Sequence, residues 1–76
     1  MEQIYEKLNE IFRDFFDDDE IAVTETTKAS DIEGWDSLEH ITLMATIEEE
    51  FGVKFDLTKK FENVGAMATE IKKQIG

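Results

Sequence analysis

The chain contains no cysteine and no proline, and only four glycines, one tryptophan and one histidine in 76 residues. Without cysteine there is no disulfide framework and no thiolate metal site. No apolar run is long enough to span a bilayer and no secretory signal is visible, so a cytoplasmic chain without membrane insertion is expected. Basic residues are scarce: 8 Lys and Arg stand against 19 Asp and Glu, a formal net charge of -11. The imbalance sits in residues 1–56, which hold 17 acids and 4 bases. Such a chain repels nucleic-acid phosphate, which argues against direct nucleic-acid binding. It attracts proteins with basic patches and steers them during encounter.

What is present reads as one small domain, residues 1–76, with a modest core. Residues 2–16 predict a first helix. Ile4, Leu8, Ile11, Phe12 and Phe15 recur at three- and four-residue steps and form one apolar stripe, with Glu2, Glu6, Glu10 and Asp14 on the other side. Asp17, Asp18, Asp19 and Glu20 follow. A calcium loop started at Asp14 would put Phe16 at a ligand position and Asp19 where glycine is needed. Started at Asp17, it would end on Lys28. Neither register works, so no metal site is expected. Residues 21–36 predict a long ordered loop pinned to the core by Ile21, Val23, Ala29 and Ile32.

The stretch from Gly34 to Ile41 closes that loop and opens a helix over 37–51. Asp36 predicts an N-cap, with Glu39 three residues on to complete a capping box. Ser37 is then the first helical residue, at the rim of the loop, within reach of a partner. Trp35 is expected to pack against the first turn. Residues 38–51 contain neither Gly nor Pro, and Gly52 predicts the C-cap. Set at about 100° per residue, Leu43, Ile47, His40, Phe51 and Met44 share a core-facing arc. A second arc holds Leu38, Ile41, Thr42, Ala45, Glu48 and Glu49 on the same side as Ser37. A plain amphipathic helix would be polar there. An apolar centre with an acidic rim describes either a docking face or residues covered by loops. A Ser37–His40 catalytic pair is not expected, because no oxyanion loop is visible and the chain is too small to exclude water from a substrate.

Residues 53–56 predict an extended link and 57–61 a short helical turn. Asn63 predicts the cap of a last helix whose stripe runs through Val64, Met67, Ala68, Ile71 and Ile75. The expected fold is therefore all-α: a small four-helix bundle of three main helices and a short third one, with a long loop between helices 1 and 2.

Asp36-Ser37-Leu38 opening a helix, followed by Ile41, Leu43, Met44 and Ile47 and closed by Glu48-Glu49-Glu50-Phe51, closely resembles the acyl carrier protein family. The resemblance covers the whole chain, including the last helix beginning Asn63-Val64-Gly65. It implies that Ser37 carries 4'-phosphopantetheine as a phosphodiester, attached from coenzyme A by a separate phosphopantetheinyl transferase. The arm's thiol would hold acyl groups as thioesters. The carrier itself would not be an enzyme, and a monomer is expected. Asp36, Leu38, Ile41, Thr42, Ala45, Glu48 and Glu49 would meet basic and apolar patches on acyl-loading and acyl-processing enzymes. The chain departs from fatty acid synthesis carriers at Trp35, Thr42 and Ala45, and at Lys59 and Lys60, which stand in a region usually acidic. Gly34-Trp35-Asp36-Ser37-Leu38-Glu39-His40 looks more like discrete carriers of specialised pathways. The rivals are a peptidyl carrier for an activated amino acid and an unmodified acidic adaptor.

Overall fold

A computed structural model describes residues 1–57 and 59–76. Among these, the chain forms three α-helices and no strand: α1 Glu2–Phe15, α2 Ser37–Phe51 and α3 Val64–Ile75, with one 3-10 turn at Ala29–Asp31. The stripe of α1 buries Ile4, Leu8, Ile11 and Phe12. Those side chains meet Leu43, Met44 and Ile47 of α2 and Val64, Met67, Ala68 and Ile71 of α3 in one core. Phe12 is the largest side chain fully out of water. Ile75 lies beyond this core and is half exposed, so the α3 stripe ends one turn earlier than its periodicity predicts.

The expected fourth helix over 57–61 is not formed at the described residues. Leu57 lies in a turn, 59–61 are not helical, and Thr58 lies outside the described residues. Tertiary contacts claim this segment instead. The carbonyl of Lys59 bonds the ring of His40 at 2.8 Å, and Phe61 meets Phe55 edge to face.

Two side-chain amides hold the connections in place. Asn9 on α1 accepts the Val23 N–H at 2.6 Å and donates to the Val23 carbonyl at 3.4 Å. Gln74 on α3 does the same for Lys54, accepting its N–H at 2.8 Å and donating to its carbonyl at 2.7 Å. Each amide thus meets both backbone groups of one residue, as a neighbouring strand would. Of the expected loop anchors, Val23 is buried and Ile21 and Ile32 are half-buried against the core. Ala29 is exposed, since a lone methyl in the 3-10 turn has little area to gain from burial.

The loop is also fastened to the start of α3. The Val64 N–H donates to the Thr27 carbonyl at 2.8 Å and the Gly65 N–H to the Glu25 carbonyl at 2.9 Å. Asn63 Oδ1 accepts from the Ala66 N–H at 2.9 Å. Donors that a helix start leaves without partners are met in this way. On the other side of the loop, burial and the nearby Glu25 carboxylate push the Tyr5 hydroxyl above its ordinary pKa of 10.0.

Three acids in a row at the end of α2 oppose the helix dipole. Two contacts offset this. Lys7 of α1 donates to the Glu50 carbonyl at 2.7 Å and lies over the Phe51 ring. Glu48 turns back to accept the Phe55 N–H at 2.6 Å. No helix is long and apolar enough to cross a membrane among the described residues.

Candidate functional site

The loop reaches α2 through Gly34, whose φ of 91° is one that side-chain-bearing residues avoid. Asp36 then caps the helix: its Oδ1 accepts the Glu39 N–H at 2.9 Å. The other half of the expected capping box is replaced, because the Asp36 N–H bonds the Gly34 carbonyl at 3.2 Å. This geometry sets Ser37 as the first residue of α2 and leaves it exposed. Its hydroxyl accepts from the ammonium of Lys60 at 3.2 Å. A cleft of about 440 Å³ opens beside it, with Lys28, Trp35, His40, Lys60 and Phe61 in its lining.

His40 lies one turn below Ser37 and is 6 % exposed, the one buried polar side chain among the described residues. Trp35 Nε1–H donates to its Nδ1 at 3.0 Å, and the two rings stack with an interplanar angle of 13°. Indole N–H is a donor only, so Nδ1 must be the bare nitrogen. Nε2 therefore carries the proton and donates to the Lys59 carbonyl at 2.8 Å. Both ring nitrogens are used, and neither serves Ser37 as a base. Trp35 in turn meets Phe12 edge to face at 5.2 Å, so the imidazole is held from both the core and the loop. Sequence reading placed Trp35 against the first turn and His40 near the loop. It did not find the bond between them, although a donor-only indole five residues before the lone histidine is a usable signal.

Trp35→Phe keeps an aromatic ring and removes the donor. A buried acceptor left without a partner costs about 1–3 kcal/mol. The variant is expected to lose that much in urea unfolding. In the wild type, imidazole nitrogen spectra should show the proton on Nε2. A protonated Nδ1 in the neutral ring would contradict the assignment.

The second arc of α2 is open to solvent. Leu38 is 78 % and Ile41 42 % exposed, and Thr42, Ala45 and Glu49 are exposed beside them. Loops do not cover these residues. Asp36 is exposed at the same end, though its carboxylate is occupied by capping. Glu48 is half-buried with one oxygen spent on Phe55, so it differs from Glu49 in being held in place. In the acidic turn, Asp18 accepts the Glu20 N–H at 2.9 Å. Among the described residues, no three His, Cys, Asp or Glu side chains gather as a metal site.

No sequence signal sets Lys60 beside Ser37. The two lie 23 positions apart, and only the path of the α2–α3 connection brings them together.

Comparison with known proteins shows the family to which the chain belongs. Residues 6–71 match the family model described as phosphopantetheine attachment site. An acyl carrier protein of Thermotoga maritima is 38 % identical over 77 residues, covering 99 % of this chain and 95 % of that protein. The solution structure of a holo acyl carrier protein from Geobacter metallireducens matches with a TM-score of 0.86 at 40 % identity. That match covers 95 % of this chain and 85 % of the other. The three-helix frame and the family match together define a small carrier module. The chain belongs to the acyl carrier protein family, whose members carry phosphopantetheine.

Proposed function

We propose that Ser37 is the attachment point for 4'-phosphopantetheine, and that the chain holds acyl groups on that arm as thioesters for other enzymes. One observation supports this most: an exposed hydroxyl on the first residue of α2, in a chain of a phosphopantetheine-attachment family. The donor is coenzyme A and the catalyst a separate phosphopantetheinyl transferase. The Ser37 oxygen–phosphorus bond forms, a phosphoanhydride bond of coenzyme A breaks, and adenosine bisphosphate leaves. The serine proton passes to a base of the transferase. His40 is not that base, since both its nitrogens are engaged. The chain contributes position and recognition, not catalysis.

Recognition falls to the open arc of α2. Leu38 and Ile41 offer apolar contact, Thr42 and Ala45 make a shallow middle, and Asp36, Glu48 and Glu49 supply an acidic rim. Loading and processing enzymes with basic patches fit this face through steering and complementarity. The chain works as a monomer in the cytoplasm, on a specialised pathway more than in general fatty acid synthesis. Trp35, Thr42, Ala45 and Lys60 support that assignment, because they alter the two regions where a carrier meets its arm and its enzymes.

Incubation with coenzyme A and a promiscuous transferase should add the mass of one phosphopantetheine group. Ser37→Ala should add nothing. An unmodified wild-type chain, in a tube where a known carrier is converted, would overturn the proposal. So would modification of Ser37→Ala.

A further inference from the structure

The contact between Lys60 and Ser37 has no role in the fold's core, since both side chains are exposed. The surroundings are acidic: Asp36 and Glu39 flank Ser37 in sequence, and Glu62 also lines the cleft. A phosphodiester on Ser37 would add another negative charge to this crowd. Lys60 sets an ammonium 3.2 Å from the atom that would carry the phosphate. Lys28 lines the same cleft from the opposite loop. Trp35 and Phe61 line the same cleft, and the Lys59 ammonium lies over the Phe61 ring at 5.3 Å.

Resting on the attachment reading above, we infer that Lys60 is the counter-ion of the phosphodiester at Ser37 and turns the first part of the arm into the cleft beside Trp35 and Phe61. Lys60 is a positioning residue. Its hydrogen bond to the hydroxyl in the unmodified chain passes to a non-bridging phosphate oxygen once the ester forms. A charge-assisted bond to phosphate is stronger than one to a neutral hydroxyl. The arm leaves the phosphate along the wall of the cleft. Its branched, apolar first carbons lie against the aromatic rings, where they lose contact with water.

The test compares the unmodified and phosphopantetheine-bearing forms of the wild type, Lys60→Gln and Lys60→Arg by NMR. Lys60 is exposed, so both variants keep the fold, which their melting curves check. On modification, the wild-type Lys60 Cε–Hε signal should shift at low salt and return towards its starting position at high salt. The arm's methyl groups should show through-space contacts to Trp35 and Phe61. Lys60→Gln should weaken those contacts about two- to five-fold, the range an exposed ion pair supports. Lys60→Arg should keep them. An unmoved Lys60 signal, an absence of arm contacts in the wild type, or equal contacts in Lys60→Gln would each overturn the inference. Loss in both variants would overturn it too, since charge would not be the cause. A chain that gains no mass with the transferase defeats the attachment reading as well. A modified chain with an indifferent Lys60 defeats this inference alone.

Discussion

Phe12→Ala is expected to remove a large fraction of the domain's stability. The ring is wholly buried and joins three groups: the core of all three helices, Phe16 at the end of α1, and Trp35 in the loop. Truncating such a ring costs about 3–5 kcal/mol, partly in lost transfer energy and partly in the cavity left behind. A domain of this size has roughly 4–11 kcal/mol of total stability. The loss is therefore a large fraction of what holds the chain together. It equals a fall in melting temperature of more than about 12 °C. The effect should reach the site, because Trp35 loses the face that aligns it with His40. A melting temperature within about 4 °C of the wild type would show that the surrounding side chains close over the gap.

Gly65→Ala is the second large effect, and its sign runs against helix propensity. At an exposed interior helix position this change stabilises by about 1 kcal/mol. Here a Cβ would stand 2.6 Å from the Glu25 carbonyl oxygen and 3.1 Å from its Cα, both backbone atoms that cannot swing aside. The loop must move away from α3. That breaks the Gly65 N–H to Glu25 bond and strains the neighbouring Val64 N–H to Thr27 bond. Overpacking costs about 1–3 kcal/mol and each lost hydrogen bond about 1 kcal/mol. The net expectation is a destabilisation of about 2–4 kcal/mol. Hydrogen exchange at Val64 and Gly65 should quicken before that of the α1 core amides. A variant more stable than the wild type would mean that the loop adjusts without cost.

Much of this was open to sequence reasoning wherever the cause was local. Both ends of α2 carry their own signals, Asp36 at the start and Gly52 at the finish, and the helix runs between them as predicted. The stripes of α1 and α3 mark their buried faces, because burial follows the 3.6-residue period. The segment 57–61 misled for the opposite reason. Its composition tolerates a helix, but the described residues make other contacts, Lys59 with His40 and Phe61 with Phe55. The wheel could not decide whether Leu38 and Ile41 were covered, since cover is supplied by other parts of the chain. The rim position of Ser37 followed from capping alone. Its neighbour Lys60 did not, because no period or motif links residues brought together by the turn of a connecting segment.

The Asn9 and Gln74 clasps carry no charge. Changes in ionic strength rescale the repulsion among the surface carboxylates and the pull they exert on a basic visitor, yet act little on the amide-to-backbone bonds of these two fasteners, although Gln74 also meets the Glu70 carboxylate. The chain can thus be tuned by its surroundings in how eagerly it is met, while the framework offered at each meeting keeps the same shape.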